Sequence, residues 1–153
     1  MHNEQRIDTV PNDFYMTDYI TQKTLDLIDE DSKKSEPFFM YVAYTAPHWP
    51  LHAKPEDIAK YKGKYDGGWD ELRKRRYNRM VQMGLADPAQ IPESKNESNR
   101  LWANETYKSW EASNMEVHAA MLDCVDQGIG KIIAKLKETG EYDNTIIFFM
   151  SDN

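Results

Sequence analysis

The sequence predicts an α/β fold with parallel strands, flanking helices and a long polar insertion. Two amphipathic helical patterns, over 17–31 and 107–137, are each followed by a short apolar, β-branched run, and the stretch 51–105 separates the two pairs. A helix or strand crossover of this kind favours parallel pairing, because antiparallel neighbours are joined by tight turns instead.

In 17–31 (TDYITQKTLDLIDED), Ile20, Thr24, Leu27 and Ile28 share one helical face, with Thr17 or Asp18 available to cap the first turn. Pro37 then introduces FFMYVAYTAP, which has the composition of a buried strand and ends at Pro47. The segment Pro47-His48-Trp49-Pro50 follows at once, so His48 stands just past the strand end, where open α/β sheets place their ligands.

From Leu51 to Arg100 the chain is polar, with Pro50, Pro55, Pro88 and Pro92 and the pair Gly67-Gly68. At most short helices are expected there, at 55–62 and 69–84, and so long an excursion more often belongs to a functional loop. Between Tyr107 and Lys137, residues Met115, Ala119, Leu122, Val125, Ile129, Ile132, Ile133 and Leu136 recur at helical spacing, and Gly140 marks the stop. Asp143-Asn144 then turns the chain into TIIFFMSDN, a second strand of buried composition.

Composition narrows the function classes. At 153 residues the chain has the length of one ordinary domain, which would bury roughly 70% of its unfolded surface. Hydrophobic residues make up 40%, enough for a core, while a mean hydropathy of −0.80 leaves much of the length solvated. A net charge of −7 disfavours nucleic acid as a partner, since only Lys60 to Arg79 is basic. The longest apolar run, Thr145 to Met150, is far shorter than the roughly 20 residues of a membrane span, so none is expected. Residues 1–12 do not have the pattern of a signal peptide, and a single cysteine, Cys124, excludes an internal disulfide.

Two places carry chemistry. Ser151-Asp152-Asn153 brings a carboxylate and an amide oxygen to a strand tip, the hard donors that calcium and magnesium take, although such a pair also makes turns and helix caps. His48, clamped between prolines, has a side chain able to exchange a proton near neutral pH, or simply to pack.

TAPHWPLHAKPEDIAKYKGKYDGGWDELRKRRYNRM resembles the stretch after a central strand of bacterial arylsulfatases, and MEVHAAMLDCVDQGIGKII with GEYDNTIIFFMSDN resembles their next helix and strand. With DFYMTDYITQKTLDLI near the start, the chain is similar to type I, formylglycine-dependent sulfatases over nearly all its length, least so over 85–105. The resemblance implies an internal part, 1–153, of a catalytic domain with an alkaline-phosphatase-like fold, in which 51–105 forms the long loop or insertion. It implies hydrolysis of a small-molecule or glycan sulfate ester, a calcium or magnesium ion, and a periplasmic or secreted setting. It also implies a formylglycine made from the Cys or Ser of a C/S-x-P-S-R motif. No such motif occurs here, and the family's first aspartate pair is also missing, so the nucleophile segment is expected upstream and a remainder downstream.

By the same resemblance Asp152 and Asn153 match metal ligands, and His48 matches the histidine at the ester oxygen, where it stabilises charge or protonates the leaving group. His52 reads as pocket wall or loop, with substrate contact as the alternative. Trp49 either stacks on an aryl or sugar ring or packs in its loop. Cys124 and His118, both on the long helix, read as packing residues. The group Lys60, Lys62, Lys64, Tyr65, Trp69, Arg73, Arg75 and Arg76 either lines an entrance for anionic substrates or forms a solvated face. A phosphoesterase or phosphonate hydrolase of the same superfamily is the nearest alternative, and a non-catalytic relative is another.

Overall fold

A threonine-lined helix face opens the structure. The computed structural model describes residues 5–93 and 100–151. Helix α1, Met16–Asp31, buries Thr17, Thr21, Thr24 and Ile28. The spacing expected Ile20, Thr24, Leu27 and Ile28 on that face, but Leu27 is 47% exposed and the buried stripe is displaced toward the threonines. Burial costs these side chains little, because Thr21 donates to the Thr17 carbonyl at 2.9 Å and Thr24 to the Ile20 carbonyl at 2.8 Å. Their methyl groups remain to pack. The expected cap at Thr17 or Asp18 does not form: both lie inside the helix, and Tyr15 occupies the N-cap position with no side-chain cap.

The chain divides into two units, Met1–His48 with Asp123–Asn153, and Trp49–Leu122. In the first, α1 runs beside the second half of α4, Lys108–Glu138, in a parallel sense. Asp18 Oδ1 lies 3.5 Å from Cys124 Sγ, a Cβ on Gly128 would meet Thr21, and Asp29 Oδ1 stands 4.0 Å from Lys135 Nζ. Each contact is reached by advancing along both helices together. Ile28 on α1 and Cys124, Val125 and Leu136 on α4 are buried.

Helix α4 ends as Gly140 allows. Its φ of 80° is open to glycine at little cost, and Gly140 N donates to Lys137 O at 3.2 Å while Glu141 N donates to Leu136 O at 2.9 Å, a Schellman motif.

The two expected strands do not appear among the described residues. Neither 38–46 nor 145–150 forms a strand, and none of the described residues belongs to a parallel sheet. A ladder needs a paired neighbour, which these segments lack in the described structure. Phe38, Met40, Val42 and Tyr44 are nevertheless partly covered, whereas Phe39, Tyr41, Ala43 and Thr45 are exposed, an alternation of period two. Residues 146–150 are exposed throughout.

In the second unit the two helices expected within the long loop, at 55–62 and 69–84, are present with slightly different bounds. Helix α2, Pro55–Ala59, starts on a proline at its first turn, and α3, Gly68–Gln82, spans 15 residues. Little of α3 is buried beyond Gly68, so its position depends on contacts at its start. Asp70 Oδ2 accepts the backbone N–H of Trp102 at 2.7 Å, Trp69 donates its indole N–H to Arg100 O at 2.8 Å, and the two indoles meet edge to face with centroids 4.8 Å apart. Tyr77 adds a bond to Ile91 O at 2.8 Å. These partners are 14 to 33 residues away in sequence.

Candidate active site

His48 lies in the turn that follows 38–45. Its backbone N–H donates to Thr45 O at 3.0 Å, and the peptides Ala46-Pro47 and Trp49-Pro50 on either side are both cis. The turn fixes the backbone while the imidazole remains exposed. His48 closes the first unit, and Trp49 and His52 open the second. Trp49 is 62% exposed, and His52 is exposed too.

Beyond them the chain is anchored by a residue that the sequence did not single out. Asp57 is buried at the start of α2, with its carboxylate 2.7 Å from Lys60 Nζ and 3.8 Å from Lys54 Nζ. Lys60 therefore answers a buried carboxylate and is not an unpaired cation of the basic run. Its spacing of three from Asp57 was the available signal. Further on, Gly63 N donates to Glu116 Oε1 at 2.7 Å, and Lys64 lies 4.8 Å from the Tyr61 ring centroid. Burial pushes the Tyr65 phenol above its ordinary value, against a smaller opposing pull from Arg75.

The arginines of α3 do come together. Trp69, Leu72, Arg73, Arg75, Arg76 and Arg79 line a cavity of about 490 Å³. Leu72 and Arg79 were not singled out from sequence, although Arg79 follows Arg76 at helical spacing. Lys62 and Lys64 are exposed and are not among the lining residues.

Cys124 is buried, as expected for a packing thiol, whereas His118 is exposed and corrects the packing assignment. Ala120, Met121, Cys124 and Val125 turn inward on α4, and two residues before Ala120 the helix faces outward. Asp152 and Asn153 lie outside the described residues. Among the described residues no three His, Cys, Asp or Glu side chains gather as a metal site. No described helix is long and apolar enough to cross a membrane.

Comparison with known proteins decides the family. The sulfatase family matches the chain over residues 2–153. The chain belongs to the sulfatase family. An uncharacterized sulfatase of Schizosaccharomyces pombe is 40% identical over 99% of the chain and 28% of its own length. An arylsulfatase of Klebsiella aerogenes is 33% identical over 95% of the chain and 31% of its own length. The crystal structure of Ps i-CgsB in complex with k-i-k-neocarrahexaose superimposes with a TM-score of 0.52 at 26% identity, covering 94% of this chain and 21% of that one. The sulfatase chain thus spans under a third of the length of these relatives, and its structural similarity is consistent with the alkaline-phosphatase-like fold.

Proposed function

We propose that the protein carrying this chain hydrolyses sulfate esters of small molecules or glycans, and that the chain supplies one part of the active site. The match to the sulfatase family from residue 2 to residue 153 carries this reading, supported by a relative named arylsulfatase and a structural neighbour solved in complex with k-i-k-neocarrahexaose. In the complete sheet, 38–46 and 145–150 are read as parallel strands that bring His48 and Asp152-Asn153 to the same end.

Asp152 and Asn153 offer one carboxylate and one amide oxygen, a donor chemistry that suits calcium or magnesium, and further ligands must complete the shell. Such an ion, when bound, neutralises charge on the sulfate oxygens. The nucleophilic oxygen is assigned to a formylglycine formed from a Cys or Ser outside this chain. His48 serves the other side of the sulfur: as the bond from sulfur to the ester oxygen breaks, its imidazolium gives a proton to that oxygen. Trp49, exposed beside it, offers a face to the departing aryl or sugar ring. His52 is assigned to substrate contact.

The test is an assay of the complete protein on nitrophenyl sulfate, a sulfated oligosaccharide and nitrophenyl phosphate, with peptide mass analysis for formylglycine. Sulfate release in a protein that carries the modification is expected. Preferential hydrolysis of the phosphate ester would favour the phosphoesterase alternative, and modified protein without any turnover would favour a non-catalytic role.

A further inference from the structure

We propose that the arginine groove on α3 is an accessory subsite that holds the sulfate groups of a polysulfated oligosaccharide, away from the ester being cleaved. The inference rests on the sulfate-ester reading and narrows its substrate to a glycan with more than one sulfate.

The groove is a strong local reversal of charge. Helix α3 carries Arg73, Lys74, Arg75, Arg76 and Arg79 against Asp70 and Glu71, in a chain whose net charge is −7. Both acids sit in the first turn, and Asp70 already pairs with Arg73 at 3.2 Å. Among the described residues no carboxylate forms an ion pair with Arg75, Arg76 or Arg79, and all three are exposed. A helix that holds like charges this close together incurs repulsion that an anion would relieve.

Shape then selects the anion. Trp69, Leu72, Arg73, Arg76 and Arg79 recur at i, i+3, i+4, i+7 and i+10 and share one face of the helix. The cavity of about 490 Å³ lies in the range of small-ligand sites. Guanidinium forks match the planar pairs of oxygens on a sulfate better than ammonium groups do. From Arg73 to Arg79 the helix rises about 9 Å, longer than one sulfate group can bridge, so at least two anionic groups are needed to engage the row. At the N-terminal end of the row Trp69 and Leu72 give an apolar wall for a sugar ring. The indole is held by its bond to Arg100 O and by its edge contact with Trp102, so the wall is formed before any ligand arrives.

The experiment measures binding of a heparin hexasaccharide to the full chain by calorimetry, with its desulfated counterpart and a duplex oligonucleotide of equal charge as comparators. The triple variant R75Q/R76Q/R79Q should weaken heparin binding about 10-fold or more, since hydrogen bonds to charged groups are the strong ones. K62Q/K64Q/K74Q removes the same charge outside the groove and should weaken it less than about 3-fold. R75K/R76K/R79K should fall between the two, and the desulfated sugar should not bind. Gln is a good helix former, and matching circular dichroism for all three variants excludes a folding defect. Equal losses in the Arg and Lys sets, undiminished binding by R75Q/R76Q/R79Q, or equal affinity for the oligonucleotide would each overturn the proposal. Because nothing here depends on turnover, a failed groove would leave sulfate-ester hydrolysis standing, and an inactive complete protein would leave the groove's affinity intact.

Discussion

The hydroxyls of Thr21 and Tyr44 lie 2.8 Å apart, immediately over the backbone of Gly128. Helix α1, the segment leading to His48 and the second half of α4 are tied together at this one point. A side chain at 128 has no room, because a Cβ there would lie 2.5 Å from Thr21 Oγ1 and 2.8 Å from Tyr44 Oη.

Gly128→Ala should therefore destabilise the chain by about 1–3 kcal/mol through overpacking. In an open helix the same change stabilises by up to about 1 kcal/mol, so the expected sign is reversed. Gly130, where an added Cβ meets nothing within 4 Å, is the control. Urea midpoints should move down for Gly128→Ala and up for Gly130→Ala; equal upward shifts would show that the contact yields freely.

Gly68 has a φ of 75°, and a Cβ on it would collide with the Trp102 ring. Gly68→Ala should release Trp102 from Trp69 at a cost of about 1–3 kcal/mol. Tryptophan fluorescence should shift to the red and gain access to an added quencher, with α4 helicity preserved. An unchanged spectrum would count against the indole pair as the anchor of α3.

Glu105 supplies a pH dependence. Its carboxyl is held below the ordinary glutamate range first by the Tyr107 backbone N–H at 2.9 Å and next by Arg100 at 2.7 Å. A depressed acid contributes order that is fully present above its ordinary value and is lost as pH falls through the lowered one. The Tyr107 amide resonance should titrate with a midpoint below 4.5, and Glu105→Gln should remove that transition. A midpoint at or above 4.5 would assign the bond no preference for the charged form.

In the complete protein, His48→Ala should lower turnover of an alkyl sulfate by about 10²–10⁴ and that of an activated nitrophenyl sulfate much less, because only the poor leaving group needs its proton. Comparing kcat on the two substrates is the check. Matching losses would assign His48 to charge stabilisation.

The helices were legible in the sequence to the extent that burial set their period. Helix α4 was visible from Met115 to Leu136, and Gly140 stopped it where expected. Leu27 misled because local spacing counts a leucine as core, whereas buried threonines that bond their own backbone leave no apolar signal. Helix α3 was expected only as a short element within a loop. Its sequence is polar on most faces, and what holds it is Asp70 and Trp69 reaching residues about 30 positions away. The strands show the converse: composition marked both, and the alternation from Phe38 to Thr45 persists, but a ladder is a property of two segments. The clustering of arginines was visible as a charge run, while the cavity depends on Trp69 and Leu72 facing the same way.

The exposure of 146–150 has a colloidal consequence. Ile146 is 82%, Phe148 80%, Phe149 79% and Met150 76% exposed, in a window without proline or charge, the composition that stacks into cross-β assemblies. Asp143 precedes this window and Asp152 follows it, so each acts as a charged gatekeeper against self-association. Any effect of Asp152→Ala on calcium binding should therefore be read at high dilution and beside light scattering, and Asp152→Lys, which restores a charge but not a ligand, separates coordination from charge.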